Sequence, residues 1–407
     1  MKTDMGLFIS ALMLLLYSYH ANSECLMSSG TKCKPTDPDV YRNVTQIIKS
    51  RGFPVEEHDV VTEDGFILSM QRIPHGRNEK KTNVKKPVVF LQHGLLADSF
   101  CWVLNWNYSA IGFMLADNGF DVWLGNIRGN RYSRRHVKYT PLNPKFWDWS
   151  FEEMADKDIP AMINYALKVT GQDQVFYIGH SQGTLVGFLS FSTNPQIAKK
   201  IKLYIALAPI FHLNHTAKIL RDAAFALGPI QEALFPLGPT SFLPGVLIKQ
   251  LIMLGFCGGK YTEKACYHVV ESIFGYDDQD MNMTRVPVIL AHFPSGTSFK
   301  NIIHFGQVIY SGQTRRFDYG YFGNLRRYGK PKPPLYDVSK ITIPVVMYLG
   351  QHDTLSVESD VAPIRAQIPD VEYYEMIPNW NHVDFIQGMD APKILYPKII
   401  KMLRSYA

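Results

Sequence analysis

The apolar positions along the chain fall into short runs separated by stretches of helical spacing. Residues 60–61 and 66–73 have strand-like composition and flank Glu63-Asp64-Gly65, a hairpin signal, so an antiparallel hairpin is expected to open a sheet. Continuous apolar runs follow at 88–91, 121–124, 175–178, 203–208 and 345–349, with helical patterns between them. A strand that is apolar on both faces belongs in a parallel sheet covered on both sides. Residues 151–169 carry Met154, Ile159, Met162, Ile163 and Leu167 at helical spacing and end near Gly171, just before the run at Val175. The rhythm stops after Ala208-Pro209. Between about 211 and 336 the strands vanish, and apolar stretches punctuated by Gly and Pro, such as 225–237 and 242–256, replace them. It resumes at Ile343-Pro344. The pattern predicts an α/β core with a mostly parallel sheet, interrupted by an inserted, mainly helical cap.

The amino terminus sets the compartment. Lys2 precedes an apolar run, 5–17, too short to span a bilayer, and the small residues Ala21 and Ser23 suit a cut before Glu24. Residues 1–23 therefore read as a signal peptide. The expected domains are 24–211 as the first part of the core, 212–336 as the cap or lid, and 337–407 as the second part of the core. At 407 residues the chain exceeds what one hydrophobic core usually supports, which agrees with a large insertion. Hydrophobic residues at 46% and charged residues at 19% exclude a disordered chain.

The net charge is +6, from dispersed residues: Lys80, Lys81, Lys85 and Lys86 sit in a polar loop, and Arg134 with Arg135 lie away from any aromatic stacking platform. This reads as a solvated face, so no nucleic-acid partner is expected. A basic surface does favour anionic lipid interfaces. The five cysteines, Cys25, Cys33, Cys101, Cys257 and Cys266, leave at least one thiol unpaired within the chain. The spacings allow two local loops, 25 with 33 and 257 with 266, with Cys101 left over. None has metal-ligand spacing with nearby histidines, so no metal is expected. Four acceptor sequons, at Asn43, Asn107, Asn214 and Asn282, fit a glycoprotein of the secretory route.

The chemistry concentrates in Gly179-His180-Ser181-Gln182-Gly183. This is the G-x-S-x-G elbow, in which a strand turns sharply into a helix and presents a serine nucleophile. The pattern alone is weak, but Val175-Phe176-Tyr177-Ile178 supplies the strand and Thr184-Leu185-Val186-Gly187 the helix start. A serine hydroxyl needs a base, and the base an orienting carboxylate, later in the chain. His382 follows the strand-like stretch 373–376 in the loop Asn379-Trp380-Asn381, where the fold places its base; His352 is the alternative. Asp353 follows the run 345–349, at the edge where Ser181 emerges, with Asp384 and Asp360 as competitors. Two N–H donors must meet the oxyanion: Gln182, after the nucleophile, and Leu95, in the loop Leu91-Gln92-His93-Gly94-Leu95-Leu96. His93 reads as a packing and hydrogen-bonding residue of that loop. No cofactor is called for.

The chain resembles the animal acid lipases, the family of gastric and lysosomal acid lipases, over nearly its whole mature length. The resemblance is carried by Gly52-Phe53-Pro54 and the hairpin to Ile73, the loop 91–96, Val122-Trp123-Leu124-Gly125-Asn126 with Arg128-Gly129-Asn130, and Gly179 to Gly183. Gly350 with Asp353, and Asn381-His382-Val383-Asp384-Phe385, complete it. It implies an α/β-hydrolase fold, the triad and oxyanion donors just named, a cap domain, and a disulfide matching Cys257 and Cys266. The expected activity is hydrolysis of triacylglycerols or sterol esters at an oil–water or membrane interface by a secreted, or alternatively lysosomal, enzyme. An esterase for small soluble esters and a non-catalytic lipid-binding homologue are the competing readings. Oligomeric state is not legible. The stretch 242–256, apolar except for Lys249-Gln250, reads either as cap packing or as a lid over Ser181 that opens at a lipid surface.

Overall fold

The strands form where the apolar runs fall: β1 (Glu56–Val61), β2 (Phe66–Ile73), β3 (Val88–Gln92), β4 (Asp121–Leu124), β5 (Arg135–His136), β6 (Val175–His180), β7 (Ile201–Leu207), β8 (Ser241–Phe242), β9 (Thr297–Ser298), β10 (Val345–Gly350) and β11 (Val371–Ile377). The computed structural model describes residues 37–79, 84–106, 108–227, 241–242 and 282–407. The expected signal peptide 1–23, Cys25, Cys33, Asn107, Cys257, Cys266 and residues 243–256 of the expected lid lie outside the described residues.

The main sheet runs β1-β2-β4-β3-β6-β7-β10-β11, with β5 pairing to β2 off this path. The hairpin β1–β2 and the β2–β4 pair are antiparallel, and from β4 to β11 every pairing is parallel. Side chains alternate across a strand, so each central strand feeds two cores. Val88 and Phe90 of β3, with Val175 and Tyr177 of β6, enter one cluster; Val89, Leu91, Phe176 and Ile178 enter the other. Helices α1 (Val44–Ser50) and α2 (Ile111–Asp117) cover the second face, while α3 (Ile159–Thr170) and α4 (Gln182–Thr193) cover the first. Further along the chain come α5 (Phe299–Ser311), α6 (Gly320–Tyr328) and the carboxyl-terminal α7 (Tyr396–Tyr406). Each large apolar side chain buried this way stabilises the fold by about 1.5–3 kcal/mol.

Three details differ from the sequence reading. The strands do not vanish after residue 211, since β8 and β9 pair as a two-residue ribbon, too short to leave an alternating pattern. The helix over 151–169 starts at a Ser150–Glu153 capping box, passes through a π turn, Met154–Asp158, and only then continues as α3 to Gly171 at φ 64°. Arg134 is not remote from aromatic rings, because folding lays its guanidinium 5.2 Å from the Trp147 ring.

The π turn aims Asp158 at Arg128. The carboxylate accepts from Arg128 N at 2.9 Å, Nε at 2.8 Å and Nη2 at 2.6 Å, and both side chains are buried. Arg128 also donates to Asp64 in the β1–β2 turn and lies 4.2 Å from the Phe66 ring. One guanidinium thus ties the hairpin, the loop after β4 and the π turn together. Removing one member of a buried pair leaves the other charge uncompensated. Arg128→Leu is expected to lower the unfolding free energy by about 3–5 kcal/mol in urea melts, and adding Asp158→Leu should recover part of the loss. A double variant no more stable than the single one would contradict this account.

His304 of α5 is stacked 3.8 Å from the Phe151 ring, with Ser150 Oγ at 2.9 Å from Nδ1 and Arg315 O at 3.0 Å from Nε2. Burial lowers its pKa to about 3. The unfolded chain then binds a proton near pH 6.5 that the folded chain refuses, so this contribution is intact above pH 6.5 and fades as pH falls towards 3. Between pH 7 and 5 the native protein should lose about 2 kcal/mol more stability than His304→Gln. Parallel pH profiles of unfolding for the two proteins would refute it.

Candidate active site

Ser181 stands between β6 and α4 at φ 54° and ψ −122°, a backbone conformation that costs a non-glycine residue energy. The flanking glycines make the turn possible. A Cβ on Gly179 would lie 2.6 Å from Gly183 O, and one on Gly183 would lie 2.2 Å from Gln92 O, closer than any side chain allows. The strand-to-helix turn is thereby pressed against the end of β3. Ser181 N–H donates to Leu207 O at 3.1 Å, which fixes the turn to β7 as well.

Asp353 and His382 arrive from β10 and β11, on the far side of β7 in the same sheet. Asp353 follows β10, and its Oδ1 accepts from Leu355 N and Ser356 N, both at 2.8 Å. Its Oδ2 lies 2.8 Å from His382 Nδ1, and His382 Nε2 lies 2.8 Å from Ser181 Oγ. A carboxylate can only accept, so Nδ1–H donates to Asp353 and Nε2 is left to accept the Ser181 proton. Asp353 and His382 are buried, while Ser181 is half-exposed. The loops carrying acid and base are themselves locked: a Cβ on Gly350 would meet Trp380 O at 2.5 Å, and His352 N–H donates to Trp380 O at 2.8 Å.

The competing residues have other places. The His352 side chain is exposed. Asp360 accepts from His215 N at 2.9 Å and meets His215 Nδ1 at 2.8 Å. Asp384 Oδ2 accepts from Asn381 N at 2.5 Å and so braces the turn that holds His382. Of the expected oxyanion donors, Gln182 opens α4, where first-turn N–H groups have no intrahelical acceptor. Leu95 follows Gly94, whose Cβ position is 3.0 Å from Ser181 Cβ. Both expected donors therefore lie beside the serine.

Two buried histidines hold this frame. His93 donates from Nδ1 to Gly94 O at 2.9 Å, while its Nε2 accepts from Ile127 N at 3.3 Å and Asn130 Nδ2 at 3.0 Å, pinning the loop that carries Leu95. Burial lowers its pKa to about 4. His180 donates from Nε2 to His382 O at 2.8 Å, and burial, followed by the nearby His382, lowers its pKa to about 3. The sequence reading assigned His180 no role, because the motif leaves its position open and its partner is 202 residues away. Asn301 of α5 was likewise missed; its Nδ2 donates to Gln182 Oε1 at 2.8 Å. Of the sequons, Asn43 and Asn214 are exposed and Asn282 is partly exposed. Cys101 is a free, buried thiol. Among the described residues no helix is long and apolar enough to cross a membrane.

Residues 44–106 match the partial alpha/beta-hydrolase lipase region, and residues 87–228 match the alpha/beta hydrolase fold. The chain is 41% identical over 394 residues to the lysosomal acid lipase/cholesteryl ester hydrolase of Homo sapiens, covering 97% of each. It is 41% identical over 373 residues to the gastric triacylglycerol lipase of Rattus norvegicus, covering 91% of this chain and 94% of that one. Lipase member K of Homo sapiens is 41% identical over 371 residues, with 91% and 92% covered. Among solved structures, a soluble variant of monoglyceride lipase from Saccharomyces cerevisiae has a TM-score of 0.53 at 16% identity, covering 92% of this chain and 99% of that one. With its parallel sheet, its elbow and these full-length likenesses, the chain belongs to the animal acid lipase family of the α/β-hydrolase fold.

Proposed function

We propose that the protein is a serine hydrolase that cleaves carboxylic esters of lipids, triacylglycerols or sterol esters, through Ser181, His382 and Asp353. The observation that carries this reading is the file of hydrogen bonds from Asp353 through His382 to Ser181, 2.8 Å at each step. The names of the relatives, a triacylglycerol lipase and a cholesteryl ester hydrolase, support the substrate class.

The chemistry follows from the geometry. His382 Nε2 takes the Ser181 proton as Oγ attacks the ester carbonyl, and Asp353 stabilises the imidazolium that forms. The N–H groups of Leu95 and Gln182 meet the oxyanion. Collapse breaks the ester C–O bond, and the alcohol leaves with the proton from His382. Water then attacks the acyl-enzyme, gives a proton to His382, and releases the fatty acid and Ser181. Ser181 follows β6, Asp353 follows β10 and His382 follows β11 of one sheet, which supports a triad positioned before substrate binds.

Around this centre the reading places a core of residues 24–211 and 337–407 and a cap of 212–336. It also carries a signal peptide at 1–23, a Cys257–Cys266 disulfide, and glycans at Asn43, Asn107, Asn214 and Asn282. A gastric and a lysosomal enzyme among the relatives support either a secreted or a lysosomal destination.

The test is turnover of emulsified triacylglycerol and cholesteryl ester by the purified protein. Ser181→Ala should leave a folded protein whose turnover falls by about 10⁴-fold or more. Asp353→Asn should cost roughly 10³–10⁴-fold, and Asp384→Asn much less, because Asp384 accepts from Asn381 N and braces the loop, whereas His382 Nδ1 meets Asp353. Retained turnover in Ser181→Ala would sink the mechanism. If Asp384→Asn were the more damaging carboxylate variant, the acid would be misassigned.

A further inference from the structure

Helix α6 is anchored along one face and bare on the other. Asn324 is buried: its Oδ1 accepts from Tyr319 N at 2.9 Å, and its Nδ2 donates to Asp318 Oδ1 at 2.7 Å and Pro331 O at 2.9 Å. Tyr328 OH donates to Phe317 O at 2.9 Å. These bonds fix the helix without using its outer side. There Tyr321 is 61% and Phe322 77% exposed, and Leu325 on the helix and Leu335 after it are exposed as well. Large apolar side chains gathered on one exposed element mark an interaction surface.

Past the exposed Asp318 at its amino end, the stretch carries charge of one sign. From Tyr319 to Tyr336 the sequence holds Arg326, Arg327, Lys330 and Lys332 and no Asp or Glu. All four cations are exposed, and none pairs with a carboxylate among the described residues. Arg315 and Arg316 nearby are occupied, the first by Pro333 O and Gln313, the second by Glu152 and Asp156. Lys330, Lys332 and Arg315 line an open hollow of about 400 Å³ floored by Pro331 to Leu335. Bare aromatics bordered by unpaired cations fit a surface that is apolar within and anionic at its boundary.

The helix also has a short route to the serine. Tyr319, which caps α6, receives a hydrogen bond from Lys300 Nζ at 3.0 Å, and Asn301, the next residue of α5, holds Gln182 beside Ser181. We propose that α6 and the segment to Leu335 form a docking surface for lipid carrying anionic headgroups, with Tyr321, Phe322 and Leu325 entering the acyl boundary and Arg326, Lys330 and Lys332 meeting the headgroups. This rests on the reading of the protein as a lipid-ester hydrolase and names the surface it works on. In sequence the surface is separate from the expected lid stretch 242–256.

The test is co-sedimentation of the full-length protein with vesicles of phosphatidylcholine alone or mixed with phosphatidylserine. The wild type should bind the mixed vesicles far more tightly, and raised salt should weaken that binding. At about one kcal/mol per cation, Arg326→Gln with Lys330→Gln and Lys332→Gln should lose roughly 100-fold in affinity. Tyr321→Ser with Phe322→Ser should also lose binding, whereas Arg326→Lys should bind as the wild type does. Equal wild-type binding to both vesicles, or wild-type affinity in either the charge variant or the apolar variant, would overturn the proposal. Turnover of a dissolved short ester, measured alongside, should be the same in all these variants. Its absence from the wild type would instead defeat the hydrolase reading, whatever the vesicles show.

Discussion

The active-site frame depends on a backbone approach that no side chain could survive. Where β6 turns into α4, Gly183 lies against the carbonyl of Gln92 and Gly179 against the carbonyl of Gly183, so three stretches of main chain meet without a Cβ between them. This packing presses the first turn of α4 onto the end of β3. It therefore sets Ser181, Gln182 and the loop with Leu95 at fixed separations, and it holds Ser181 at a positive φ that the chain would otherwise leave. Beyond β7, Asp353 after β10 comes within hydrogen-bond reach of His382 after β11, and His382 within reach of Ser181.

Around the elbow several buried polar groups are paired across distant segments, which makes the frame stiff. Arg128 joins three segments through Asp158 and Asp64, and His93 clamps the Leu95 loop between Gly94 O and Ile127 N. His180 extends the bracing to the base, reaching from the elbow to the carbonyl of His382. Burial keeps both histidines neutral well into acid, with pKa values of about 4 and about 3, so these two braces hold their hydrogen bonds as the pH falls towards those values.

The parallel strands were legible because both of their faces are buried: Val88 to Leu91 and Val175 to Ile178 read as unbroken apolar runs. Ser181, Asp353 and His382 were legible because the fold puts each just after a strand. Features that depend on partners distant in sequence were not. The bond from His180 to His382 spans 202 residues, and Arg134 found the Trp147 ring only on folding. The two-residue strands β5, β8 and β9 are shorter than any periodicity, and the π turn before α3 answers to Arg128, which no local pattern reveals. Composition hinted at a basic surface, yet the stretch with unpaired cations lies in α6 and after it, away from the lysines that stood out in the sequence.

The distance between the proposed nucleophile and base along the chain has a consequence for biosynthesis. Ser181 precedes His382 by 201 residues. At the usual pace of the ribosome the serine exists for roughly 10–40 s before its base has been polymerised. Throughout that interval its hydroxyl keeps its proton and attacks nothing. A nascent chain of this topology is thus chemically silent, and the proposed reactivity begins only when the strand before His382 has been added to the sheet.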